Sequence, residues 1–524
     1  MSFEDRVVEA VRSTVDSGAP GVAVGVYSDG RLIHHASAGL ANVEFAAPVG
    51  IDTRFDIASM SKQFTATAAL LLCRDGVLSL QDDIRTYLPE LRLSQPVTIA
   101  QALRHTGGLP EWLALSAMAG RPLTRITQDQ VLAFVAGLAE LNFTPGTDFS
   151  YSNTGYVLIA SIISRVTGKT LREFASERIF DPLGMTSTLF RDDSEQPLTG
   201  LADGYAVNQE SVRRAGTEEC AVGDGGLATN LVDLGHWFGF LEDGRVLGTD
   251  LRDLLIDPAA FGSDSPRPYC FGLYHWEIGG EPVFGHSGGV PGYRSHLVVS
   301  PKTHLGVAVL SNNSSVDAAE LAAAVLGIVA DLPAESPSQR VEEPEAAAAL
   351  DGFWINSATD EPMKITAVDR AGVRLAEGHP SGRFDLTLDG TWHGVGEWAE
   401  SRISATTDDT MLIESIRRPG APAAYRRVAP PLADSSLPAG IYRSSELSIL
   451  AIITDSGQLE LGLRMVVPVM PGPGGTFRAG EMLTLRRDGN DLLVSAPGVF
   501  RMRFTRQSDG SIPFGVPPSL RDAG

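Results

Sequence analysis

Cysteine is nearly absent from this chain. Cys73, Cys220 and Cys270 stand alone among 524 residues and form no C-x-x-C pair. That excludes a disulfide framework or a cysteine-built zinc site and fits a reducing compartment. Long apolar runs are also missing: none reaches 18 residues, so the sequence offers no membrane-spanning helix. The N-terminal stretch "MSFEDRVVEAVRSTVDSGAPG" has no basic region followed by an apolar one. Phe3, Val7, Val8, Ala10, Val11 and Val15 instead give an amphipathic helix stopped by Gly18, and the expectation is a cytoplasmic protein. Positive charge is in short supply, with Lys+Arg 42 against Asp+Glu 64 and a formal net charge of −22. Nucleic acid and anionic membrane both require clustered Lys/Arg and are excluded as partners. The ten histidines show no H-E-x-x-H or comparable ligand spacing, so no metal and no organic cofactor is expected. Scarcest among the charges is lysine: Lys62, Lys169, Lys302 and Lys364 are the whole supply.

The chain is too long for one core. "GVAVGVYSDGRLIHHASAGLA" (21–41) predicts a hairpin turning around Ser28-Asp29-Gly30. Helical patterns dominate from Ser59 to about residue 245, with capping boxes at Thr127/Gln130 and Thr170/Glu173. Strands return in "EPVFGHSGGV" and in the hairpin "SHLVVSPKTHLGVAVLSNN", and a helical pattern closes near 332. Strands at both ends with helices between suit an α+β domain, an antiparallel sheet packed by a helical cluster, over residues 1–332. Residues 333–349, rich in Pro, Ser, Glu and Ala, read as a linker. Beyond it a weak repeat emerges. "LDGFWINSA" resembles "LPAGIYRSS", and each copy ends in an aromatic and basic strand, "AAYRRV" or "RMRFTR". Two small antiparallel β-barrels, at 350–430 and 431–524, account for it.

One of the rare lysines sits in "IASMSKQFT" (57–65), three residues after Ser59. Residues three apart share a helix face, so the hydroxyl and the amine can meet on the first turn. Serine is a weak nucleophile until a base takes its proton, and a lysine serves as that base when burial lowers its pKa. Alone, S-x-x-K also describes a solvated surface turn. Two further segments tip the balance: Tyr151-Ser152-Asn153 before an apolar helix, and His286-Ser287-Gly288-Gly289 on a strand.

S-x-x-K, Y-x-N and H-S-G in this order resemble the motifs of the penicillin-recognising serine hydrolases: class C β-lactamases, DD-peptidases and related esterases. "LRHTGGLPEW" and "GDGGLATNLVDLGHW" resemble supporting stretches of that family. With two C-terminal barrels at nearly this length, the chain is most similar to the D-aminopeptidases. The resemblance implies a β-lactamase/transpeptidase-like domain and acyl transfer through Ser59, with Lys62 and Tyr151 sharing the proton work. Asn153 would bond Lys62 and the substrate, and His286 would line the pocket. The backbone N–H groups of Ser59 and Gly289 would form the oxyanion hole. Gly288, Tyr274, Arg464 and Met465 are the expected substrate contacts. The implied substrate is a small amide, peptide or ester, and the implied assembly a homodimer. In D-aminopeptidases a loop of the last barrel carries an acid for the substrate's amine. Residues 462–475 hold no Asp or Glu here, which predicts an apolar cap with no demand for a free α-amine. An esterase or β-lactamase-like hydrolase is the alternative, and a non-catalytic binding protein a third.

Overall fold

The structure, a computed structural model, describes residues 1–121, 123–208, 210–216, 218–257, 269–332, 340–370, 372–376, 382–394, 401–407, 409–415, 422–462 and 465–508. Its first part is built on a six-stranded antiparallel sheet in the order Tyr274–Ile278, Glu281–Val290, Tyr293–Ser300, Leu305–Ser311, Val22–Ser28, Arg31–Ala38. The two terminal hairpins therefore complete one another, through pairs running from Val22↔Ser311 to Ser28↔Leu305. The Asp29-Gly30 turn has the left-handed φ values (48° and 67°) that such a hairpin needs.

Alternation along Val22–Ser28 sorts the side chains into two layers. Val22, Val24 and Val26 join Val307 and Val309 under the helices Phe3–Arg12 and Ala318–Val329. The first of these ends at Arg12 rather than running on towards Gly18. Ala23 and Tyr27 point the other way, into a core shared with the helical cluster. At the centre of that cluster lies helix Lys62–Arg74, buried from Lys62 through Leu72. The helix is enclosed all round rather than on one face. Both predicted capping boxes are present. Among the described residues no helix is long and apolar enough to cross a membrane.

Two closed eight-stranded antiparallel barrels follow, their strands lying within 352–428 and 440–506. The repeat is written into their closure. In each barrel the first strand pairs with the last, Phe353 with Val428 and Tyr442 with Arg506. Trp354 Nε1 donates to Leu350 O at 3.0 Å, and Tyr442 Oη donates to Pro438 O at 3.0 Å. An arginine of the last strand lies over each ring, Arg427 and Arg506 respectively.

Part of the stretch expected as linker is structured. Pro344 starts helix Pro344–Leu350, whose Ala347 and Leu350 enter the core of the first barrel. The first barrel has its own core, whereas that of the second is continuous with the helical cluster of the first part. Between the barrels, the buried Asp360 carboxylate receives Arg486 at 2.8 Å and Arg501 at 2.7 Å.

Candidate active site

Ser59 lies in a 3-10 turn, Ala58–Ser61, that leads into helix Lys62–Arg74. Ala58 holds a left-handed φ of 48°, a costly conformation for a residue with a Cβ. Local bonds enforce it: Ala58 N donates to Asp56 Oδ1 at 2.8 Å, and Ser61 Oγ donates to Ala58 O at 2.5 Å. The strained turn leaves Ser59 half-buried while its neighbours Ala58 and Met60 are fully buried.

Lys62 has no exposed surface. Its Nζ donates to Ser59 Oγ at 3.0 Å, Asn153 Oδ1 at 2.7 Å and Asp224 O at 2.5 Å, using all three ammonium protons. Burial pulls its pKa down to about 8, with the Asp224 and Glu111 carboxylates opposing the fall. Tyr151 shares a hydrogen bond with Ser59, and Lys62 Nζ sits 4.9 Å from the centre of its ring. Burial holds the Tyr151 hydroxyl well above its ordinary range, and the neighbouring Tyr274 adds to the effect. Of these two groups, Lys62 is the one that can exchange its proton near neutral pH.

Tyr151 and Asn153 flank Ser152, the residue that caps helix Asn153–Thr167 without a side-chain bond of its own. The helix's orphan N–H groups are met from "LRHTGGLPEW". Ser152 N donates to His105 Nδ1 at 3.1 Å, and Asn153 N donates to Glu111 Oε2 at 2.6 Å. The other Glu111 oxygen accepts Asn153 Nδ2 at 3.3 Å and Leu113 N at 3.0 Å. Glu111 thus fixes the amide that binds Lys62, from a position favoured by the helix dipole. Burial raises its pKa nonetheless. Asp224 is also buried and raised, and accepts Trp112 Nε1 at 3.0 Å. Nearby Glu219 is pushed up to about 8 by burial and by Asp224, Asp56 and Glu111.

His286 approaches from the sheet. Its Nδ1 lies 2.5 Å from Ser287 O, so Nδ1 carries the proton and Nε2 turns a lone pair toward Tyr269 Oη at 3.5 Å. Burial, reinforced by the Lys62 charge, lowers its pKa to about 3. The imidazole is therefore neutral and offers no cation to a substrate. Tyr274 packs 5.1 Å from it, ring centre to ring centre, beside Tyr269.

Gly288 and Gly289 lie on the same strand, past the end of its pairing with the edge strand, which stops at Tyr274↔Gly285. Among the described residues no strand covers that edge from 286 to 290. Close substrate approach is the sequence-based reason for Gly288, but the structure shows a nearer one. A Cβ there would lie 2.1 Å from Ile57 O and 2.3 Å from Ser295 Oγ. The glycine lets the strand seat on the turn that carries Ser59.

Ser59, Lys62, Tyr151, Asn153, His286 and Tyr274 are thus brought together, with Gly288 seated beneath them. The expected C-terminal loop is not one: Met465–Pro471 is a barrel strand paired with Gln458–Leu461 and Thr476–Ala479. Alternating apolar residues explain it, with Met465, Val467 and Val469 turned to the shared core and Val466 and Met470 exposed. Met465 makes none of the contacts around Ser59 given above, and Arg464 lies outside the described residues. Glu111, Asp224 and His105 were missed as site residues. Their one sequence signal is placement inside the two glycine-rich stretches. Elsewhere, Asp29, Glu242 and His304 bring ligand atoms within 4.8 Å of one another at the surface. There Glu242 pairs with His304 and raises its pKa, which makes this a surface ion pair.

A sequence model described as Beta-lactamase matches residues 5–330. A D-aminopeptidase of Gluconobacter oxydans (strain 621H) is 29% identical over 532 residues, covering 98% of this chain and 96% of its own length. The D-amino acid amidase from Ochrobactrum anthropi SV3, solved with L-phenylalanine amide, superposes with a TM-score of 0.54 at 25% identity. It covers 63% of this chain and 99% of its own. An octameric penicillin-binding protein homologue from Pyrococcus abyssi shares the fold, with a TM-score of 0.57 at 23% identity over 81% of this chain and 99% of its own.

Proposed function

This chain belongs to the beta-lactamase family, and from that premise we propose that it hydrolyses D-amino-acid amides, peptides or esters through an acyl-enzyme on Ser59. One observation carries the chemistry: a fully buried lysine, lowered to about 8, lies 3.0 Å from the hydroxyl of a serine on a strained turn. In its neutral form Lys62 takes the Ser59 proton as Oγ attacks the carbonyl carbon. Tyr151, protonated throughout the working range, returns a proton to the leaving amine or alcohol and is resupplied through Lys62. The free strand edge after Gly285 and the N–H of Ser59 face the developing oxyanion, the role assigned to Ser59 and Gly289. Water then releases the acid.

The substrate class follows from the surrounding charge. Glu111 and Asp224 lie beside Lys62, and His286 is neutral. Such a site repels a carboxylate on the acyl part and attracts an ammonium. The acids come from the first part of the chain, whereas residues 462–475 of the last barrel have none. The full-length likeness to a D-aminopeptidase supports the same class.

The test is intact-mass spectrometry after fluorophosphonate treatment, joined to a hydrolysis screen over paired D- and L-aminoacyl amides and esters. One adduct, absent in Ser59→Ala, and turnover confined to the D series are expected. Labelling that persists in Ser59→Ala removes the mechanism, and turnover of the L series alone removes the substrate class.

A further inference from the structure

Among the described residues, the second barrel bonds to the segment that carries Glu111 at the turn around Gly498. Glu111 N donates to Gly498 O at 2.9 Å, and Asn142 Nδ2 donates to the same oxygen at 2.9 Å. Asn142 Oδ1 accepts Phe500 N at 2.9 Å, so one asparagine holds both sides of the turn. Gly498 has φ 73°, and a Cβ on it would lie 2.6 Å from Glu111 Cβ. The peptide that orients Glu111 is therefore packed directly against residue 498. From Glu111 the contacts continue to Asn153 through both carboxylate oxygens, and from Asn153 to Lys62 at 2.7 Å. Glu446 reinforces the junction, its Oε2 accepting Ala139 N and Glu140 N at 3.2 Å each.

We propose that Gly498 and Asn142 are positioning residues of the hydrolase. On this reading the turn of the second barrel sets Glu111, Glu111 sets Asn153, and Asn153 holds Lys62 against Ser59. The inference rests on the serine-hydrolase reading above and adds to it a role for a barrel that has no chemistry of its own. Packing alone would make the turn a passive spacer. The geometry says more, because the bonded groups form an unbroken series from barrel backbone to the base.

Two consequences separate positioning from bulk stability. Disturbing the turn moves a carboxylate that faces Lys62, so the pH dependence of acylation has to change. The other groups facing Lys62 are Asp224, Tyr151, Tyr156, His105 and His286, with Glu219 and Asp56 behind the acids. None of them touches Gly498 in the contacts described, so they are constant between variants. Glu111 favours the charged form of Lys62; its withdrawal eases proton loss and shifts the acid limb to lower pH. Second, effects routed through Glu111 cannot add to its removal.

The experiment uses the full chain and the rate of Ser59 acylation by an activated ester between pH 5.5 and 9.5. Gly498→Ala and Glu111→Gln are each expected to slow acylation at least tenfold at pH 9 and to move the acid limb downward. In the Glu111→Gln background, Gly498→Ala should change the rate less than twofold. Asn142→Ala introduces no backbone strain and carries the same expectation if Gly498→Ala fails to fold. A folded Gly498→Ala or Asn142→Ala with wild-type rate and limb overturns the proposal, as does full additivity with Glu111→Gln. Failure of the wild-type chain to acylate Ser59 at all counts against the hydrolase reading instead.

Discussion

Replacing Lys62 by arginine keeps the charge and tests whether the nitrogen must lose its proton. With Lys62 lowered to about 8, about one molecule in ten carries a neutral amine at pH 7. Arginine starts about two units or more higher. Even with the same depression by burial, its neutral fraction at pH 7 falls to about one in a thousand, a hundredfold loss of base. Geometry adds to this. Ser59 Oγ, Asn153 Oδ1 and Asp224 O converge on a point-like ammonium at 3.0, 2.7 and 2.5 Å, an arrangement a planar guanidinium does not match. Acylation should therefore slow by about two to four orders of magnitude, the range of general-base catalysis. Stopped-flow release of p-nitrophenol in the first turnover measures it. The wild-type rate should climb with pH and level off above about 8, because the deprotonated amine is the active form. Lys62→Arg should still be climbing at pH 9.5. An arginine variant within tenfold of wild type at pH 7, or a flat wild-type profile between pH 6 and 9, refutes proton transfer to Lys62.

Other expectations follow from the same geometry. Comparing kcat/KM for free-amine and N-acetylated D-alanyl amides should favour the free amine by more than ~100-fold, about 2.8 kcal/mol; parity would show that the acidic cluster does not hold the ammonium. Gly288→Ala forces a methyl group against Ile57 O and Ser295 Oγ, so a loss of about 1–3 kcal/mol in urea unfolding should accompany a fall in kcat. Asp360→Ala removes the acceptor shared by Arg486 and Arg501. Because both arginines are partly exposed, about 1–3 kcal/mol of stability should be lost while fluorophosphonate labelling of Ser59 is retained.

Ser59, Lys62, Tyr151 and His286 were legible in the sequence because each lies in a short motif whose spacing is local. The barrel repeat was legible for a similar reason: an aromatic residue opens each copy and a basic strand closes it. Glu111, Asp224 and Gly498 were not. A lone acid in a sequence is read as solvated, and only the fold shows that Glu111 and Asp224 are buried against Lys62. Gly498 reads as an ordinary turn glycine until the second barrel is docked. In the strand Met465–Pro471 two prolines and low polarity mask a period of two, so the sequence there resembles a loop. Helix Pro344–Leu350 was hidden inside a Pro- and Glu-rich stretch too short to show periodicity.

The bond between Asn142 and Gly498 spans 356 residues, which gives the site a history during synthesis. A ribosome adds about 5–20 residues each second, so roughly 20 to 70 s separate the appearance of these two partners. Through that interval Ser59 and Lys62 already exist, but the turn that steadies Glu111 does not. The shared core of the first part and the second barrel also lacks its later half, leaving apolar surface open to chaperones. The site would thus reach its final geometry only as its last strands are threaded home, and a chain cut short before residue 498 would carry Ser59 and Lys62 without the turn that steadies Glu111.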